Sequence, residues 1–221
     1  MHIEPGIVHG AKLLLSYATA AGAATYVAHE GVRTLKTREL PMMAARAAAA
    51  TAAVFVSFQI LPHHPAGVSE VHLILGSTLF LMLGFVPAAI GLALGLLTQG
   101  LFFEPQDLPQ YAMNVTTLLV PLFALQALAQ RLIAPDTAYA DITYKQALAL
   151  STAYQGGVIA WVAFWVLYGE GVSVATLANV GTFGIAYMSV VLVEPLVDLA
   201  VLAGAKALGR NRFVLARVYS A

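Results

Sequence analysis

The stretch VHLILGSTLFLMLGFVPAAIGLALGLLTQGLFF, residues 71–103, carries no Asp, Glu, Lys or Arg, and whether it is one helix or two decides the fold. As one α-helix it would be about 50 Å long at roughly 1.5 Å per residue, whereas a bilayer core is about 30 Å thick. As two, it turns near Pro87 and gives spans over about 71–86 and 88–103. Spans that short imply local thinning of the bilayer or burial inside a bundle.

The rest of the chain supplies the parity that chooses. Apolar runs of spanning length cover about 7–29, 41–61, 111–132, 144–168 and 176–208. Charged residues make up 10% of the chain and apolar ones 60%, with a mean hydropathy of +0.80. Soluble domains carry about 25% charged residues, so this is an integral membrane protein. Lys and Arg gather in cytoplasmic loops. Arg33, Lys36 and Arg38 lie between the first two runs, Arg131 and Lys145 flank the connection at 133–145, and Arg210, Arg212 and Arg217 fill the tail. The connections 61–70, 104–110 and 169–173 contain neither residue and belong outside. An N-terminus outside and a C-terminus inside require an odd number of spans. The expected fold is therefore an all-α integral membrane protein of seven transmembrane helices, one membrane domain over 1–221, with the N-terminus outside and the C-terminus cytoplasmic. No basic n-region precedes the first apolar run, so Met1 is expected to remain the terminus.

Composition also excludes chemistry. A formal net charge of +0 leaves no basic footprint for nucleic acid. With no cysteine there is no disulfide, thiolate metal site or cysteine nucleophile. Soft-metal chemistry must rest on imidazole, amine and thioether. The Met1-His2 start offers three nitrogens: the α-amine, the His2 amide nitrogen and the His2 imidazole Nδ1 close two fused chelate rings. Three coplanar nitrogens suit Ni(II) or Cu(II), and Co(II) less strictly. A second imidazole on the same membrane face would complete a square plane. Of the other histidines, His72 opens the third helix on the outer side, and His63 and His64 lie in the outer loop Pro62-His63-His64-Pro65, a candidate entry point for metal. His9 sits just inside the first span as a packed, hydrogen-bonded residue. His29, at the cytoplasmic end of the first helix, suits the helix dipole there.

Three segments give these residues a family resemblance. They are Met1-His2-Ile3-Glu4-Pro5-Gly6, Gly67-Val68-Ser69-Glu70-Val71-His72-Leu73-Ile74-Leu75-Gly76, and Leu96-Leu97-Thr98-Gln99-Gly100-Leu101-Phe102-Phe103 followed by Asn114. Together they resemble the CbiM/NikM family, the metal-binding membrane subunits of energy-coupling-factor transporters for cobalt and nickel, over nearly the whole chain. The resemblance implies a seven-helix subunit in the bacterial inner membrane. It implies Ni(II) or Co(II) as transported substrate, held by Met1, His2 and His72, with Gln99 and Asn114 steadying the N-terminal segment. Partners would be a transmembrane coupling subunit, cytoplasmic ATPase subunits and membrane lipid. The sequence departs from the family near its end, where a His-x-Pro segment is expected seven residues before a glutamate. Here Tyr187-Met188-Ser189 leads to Glu194.

Charges inside the spans add a second set of candidates. Arg46 in the second helix and Glu194 and Asp198 in the last are expected to pair, either as a structural tie between helices or as a group sensing a docked partner. Ala44, Ala48 and Ala52 form a small-residue stripe. It resembles the face that such subunits dock on their coupling partner, and it equally suits a contact within the subunit. A rival reading, a b-type haem protein, needs facing histidines within the bundle. No Gly-x-Ser-x-Gly elbow or nucleotide-binding loop appears, so the chain reads as a transporter subunit rather than an enzyme.

Overall fold

The 71–103 stretch does divide, at Gly84 rather than at Pro87. A computed structural model describes residues 3–35 and 40–208. Among these residues the chain forms α1 (Leu13–Leu35), α2 (Leu40–Phe55), strands β1 (His64–Ala66) and β2 (Ser69–Val71), then α3 (Gly76–Leu83), α4 (Phe85–Phe102), α5 (Tyr111–Leu132), α6 (Tyr144–Glu170) and α7 (Val174–Leu208). A π-helical turn, Val56–Ile60, extends α2, and a 3₁₀ turn, Pro105–Gln110, leads into α5.

The break falls where the backbone requires glycine. Gly84 has φ +92°, a conformation that costs glycine little and other residues much. Pro87 lies in the first turn of α4, where a missing N–H loses nothing, so it helps to start that helix. The helix expected over 71–86 also begins later than its hydropathy suggests. Residues 69–71 pair with 64–66 as an antiparallel hairpin turning on Gly67, and Leu75, at φ +60°, stops helix from extending backwards past Gly76. What remains of α3 is eight residues, about 12 Å, most of them buried. It lies inside the bundle and is too short to cross a membrane alone. Among the described residues five helices are long and apolar enough to cross: α2 with its π turn, α4, α5, α6 and α7. With 23 residues, α1 matches them in length.

Small residues set the tightest helix contact. Gly91 and Gly95, one turn apart on α4, face Ala50 and Val54 of α2. A Cβ on Gly91 would lie 2.3 Å from that of Ala50, and one on Gly95 would lie 2.6 Å from Val54 Cγ1. Lipid tails give helices no hydrophobic reason to associate, so this close backbone approach holds the pair. At the centre, Trp165, Tyr154, Tyr187 and Phe80 are fully buried, and the Tyr154 ring fills the space left by the missing side chain of Gly76.

Connections sort to two ends. At one end the N-terminal segment, the hairpin, the 104–110 turn and the α6–α7 connection meet. Glu4 N–H bonds Val68 O at 3.1 Å, Ile7 O presses on Gly169, and Lys12 Nζ donates to Gly169 O at 2.8 Å. At the other end Lys206, in the last turns of α7, donates to Ala140 O in the α5–α6 connection at 2.7 Å.

Candidate metal centre

The N-terminal segment enters the bundle as an extra strand. Ile3 bridges Ser69 of β2, and its side chain is 1% exposed. Its N–H donates to Asn114 Oδ1 at 3.0 Å. With its amide oriented to satisfy both neighbours, Gln110 donates to Ile3 O and accepts from Gly6 N–H, each at 3.0 Å. Four backbone groups of residues 3–6 are thus held by β2, α5 and the turn before it. Met1 and His2 lie outside the described residues.

His72 follows β2 directly, in extended chain rather than at the start of a helix as expected. It is 1% exposed. Side chains two apart on an extended chain share a face, and Glu70 uses this: its Oε2 lies 2.9 Å from His72 Nε2. With Nε2–H directed at that carboxylate, Nδ1 carries the lone pair. Metal-binding histidines are commonly supported in this way by a carboxylate on the opposite ring nitrogen. The His72 ring packs at 5.2 Å from Phe58 of the π turn and stacks at 5.0 Å and 16° on His63.

The loop histidines therefore separate. His63 is half-buried, its Nδ1 3.1 Å from Leu61 O, and it forms a wall of the His72 pocket, while His64 is exposed on β1. Gln99 and Asn114 are both 1% exposed. Asn114 Oδ1 accepts from Ile3 N–H of the N-terminal segment, whereas Gln99 Nε2 reaches Phe58 O at 3.4 Å. Gln99 Oε1 and Asn114 Nδ2 have no hydrogen-bond partner among the described residues. Buried amides of that kind signal a polar group still to be accommodated. His9 is exposed, with Nδ1 3.2 Å from Gly6 O, and His29 is exposed near the end of α1. Beside the hairpin, burial and then the Glu70 carboxylate raise the pKa of Glu4 above its ordinary value.

The sequence model of a family described as the cobalt uptake substrate-specific transmembrane region, CbiM, matches residues 2–211. The chain belongs to the CbiM family. It is also 32% identical over 143 residues to a Haemophilus influenzae protein named "Putative metal transport protein", a match covering 64% of this chain and 63% of that protein. The crystal structure of a truncated transition metal transporter superposes with a TM-score of 0.68 over 92% of this chain and 97% of the other, at 18% identity. That likeness shows a shared fold.

On this CbiM-family fold the expected ion pair between Arg46 and Glu194 is not made. Glu194 and Asp198, each 1% exposed, turn instead to the start of α3. Arg46, half-buried on α2, contacts neither carboxylate. Distance in the fold separates them: the carboxylates serve the interior break that follows His72. Ala44, Ala48 and Ala52 are exposed, while the opposite face of α2, with Ala47, Ala50 and Val54, makes the internal contact. The haem alternative, which needed His9 and His72 at depth, finds no support: His9 is exposed, and the family and relative matched are of metal uptake and transport.

Sequence reading missed Glu70, Phe58 and Gln110. Only Glu70 had a usable signal, its position two residues before His72 between Val68 and Val71.

Proposed function

We propose that this chain is the substrate-capture subunit of an energy-coupling-factor importer for Ni(II) or Co(II) in a bacterial inner membrane. The observation that carries the reading is the join between chain start and hairpin. Ile3 bridges Ser69 and Glu4 N–H bonds Val68 O, in the hairpin whose second strand leads straight to His72, and Ile3 is the next residue after His2. In this reading the Met1 amine, the His2 amide nitrogen, His2 Nδ1 and His72 Nδ1 surround one divalent ion. Glu70 orients the His72 ring, and Asn114 and Gln110 fix the backbone that presents the chelate. The choice between nickel and cobalt rests with the ligand set: an ionised amide nitrogen favours Ni(II) by the stability order.

With the N-terminus outside, and α3 counted as a seventh, partial span, this centre opens to the exterior. The exposed Ala44, Ala48 and Ala52 face of α2 offers a coupling subunit a surface for close backbone approach. ATP hydrolysis belongs to separate cytoplasmic subunits.

Adding one residue ahead of Met1 tests the centre. It moves the α-amine out of chelate range and leaves Ile3 and everything after it intact. The extended protein is expected to stay folded and to lose Ni(II) binding in equilibrium dialysis. Undiminished binding would remove the terminal amine from the site.

A further inference from the structure

The four residues from His72 to Leu75 belong to no helix or strand, yet none is loose. The first N–H groups of a helix have no partner within it, and α3 begins inside the bundle, away from water. Its N-cap, Leu75, has no side chain that can cap and sits at φ +60°, where a non-glycine residue is strained. The two N–H groups that lead into α3, rather than those of its first turn, are capped from α7. Glu194 Oε1 accepts from the N–H of Ile74 and from that of Leu75, the latter at 2.9 Å. Its Oε2 accepts from Gln155 Nε2 of α6, and Gln155 Oε1 accepts from Tyr187 O–H at 2.5 Å. Asp198, one turn along α7, accepts from the hydroxyls of Ser77, at 2.6 Å, and Thr78. Two carboxylates thus stand at the positive end of the α3 dipole. On the other side, Ser57 of the π turn donates to Leu73 O.

Ile74 is two residues beyond His72. Every polar backbone contact named above on residues 73–75 is made to a side chain of another helix, and two of the three go to one carboxylate. We propose that Glu194 is a positioning residue for the metal centre: by capping Ile74 and Leu75 from α7, it sets where the His72 imidazole stands. The inference rests on the reading of His72 as a ligand. Capping requires an acceptor at the reach of a glutamate and does not require its charge. An amide at that position can still accept from both N–H groups and donate to Gln155, whose own amide turns over. A shorter carboxylate keeps the charge and withdraws the acceptor.

Ni(II) binding to the purified full-length chain separates these cases, followed by equilibrium dialysis and by the ligand-field absorption of the bound ion. Glu194→Ala is expected to weaken binding about 10- to 100-fold, the range seen when a supporting partner of a metal ligand is lost. The absorption band should shift with it, since the fourth nitrogen is displaced. Glu194→Gln should retain most of the affinity and the original band. Glu194→Asp should bind more weakly than Glu194→Gln, and this order decides the question even if the alanine variant fails to fold. Equal or tighter binding by the aspartate variant overturns the capping role, as does wild-type affinity in Glu194→Ala. His72→Ala is the reference. If it binds like the wild type, the metal-site reading has failed. If it loses binding while the Glu194 series stays flat, only the positioning role has failed.

Discussion

A strand's two-residue repeat gives His72 its chemical definition. It puts Glu70 on the same side, 2.9 Å from Nε2, and leaves Nδ1 as the basic nitrogen. A buried imidazole that lacked such support would be free to rotate. His72→Ala is expected to lose more than the roughly 10- to 100-fold that removal of a supporting group costs. Glu70→Ala should fall within that range. Replacing His63 and His64 together removes a stacked wall and an exposed side chain, and should cost less than His72→Ala by the same dialysis. Loss of binding in the double variant with retention in His72→Ala would assign the fourth ligand to the loop. Binding must also displace protons from the amine, the amide and the imidazoles, so affinity should fall as pH drops. Calorimetry in buffers of different ionisation enthalpy counts the protons released, and a count of zero would exclude amine–amide ligation. The sequence marked His72 because it falls on the membrane face of the Met1-His2 start and its segment has a family pattern. It could not mark Phe58 or Gln110, whose roles arise only when the hairpin and the N-terminal segment dock.

Helices were legible from apolar length; their interior ends were not. Hydropathy runs unbroken through Val71–Phe103, whereas the backbone changes at Gly67, Leu75 and Gly84, each at positive φ. Proline is the more visible punctuation, yet Pro87 lies inside α4. The glycines of α4 make the sharper prediction. Gly95→Leu forces a side chain into Val54 and should cost about 1–3 kcal/mol or more through overpacking, seen as earlier thermal unfolding in detergent. Gly184→Ala meets open space and should be neutral or stabilise by up to about 1 kcal/mol, because alanine is the better helix former. A reversed order would mean that α2 and α4 are not held by this contact. On the opposite face of α2, Ala48→Leu should leave folding and Ni(II) affinity unchanged and weaken co-purification with the coupling subunit. Unchanged co-purification would move the docking face elsewhere.

At the scale of the whole molecule, the charge-based reading and the fold agree on which connections lie together. The segments without Lys or Arg, 61–70, 104–110 and 169–173, gather with residues 3–9 at one end. Arg131, Lys145 and Lys206 lie toward the other, where α7 reaches the α5–α6 connection. Lys12 is the exception, and its ammonium is held by Gly169 O and lies over the Tyr168 ring at 5.7 Å. That grouping was legible because loop charge is read along the chain without regard to packing. The span count was less so, because α3 is too short to be judged from hydropathy. The absence of native cysteine allows the orientation to be read without background. Gln106→Cys, exposed in the turn before α5, should react with a membrane-impermeant maleimide in intact cells, and Ala134→Cys, exposed in the α5–α6 connection, only after permeabilisation. The opposite pattern would place the His72 end in the cytoplasm. The pocket would then face the side from which an importer cannot collect its metal, and the capture reading would fall with the topology.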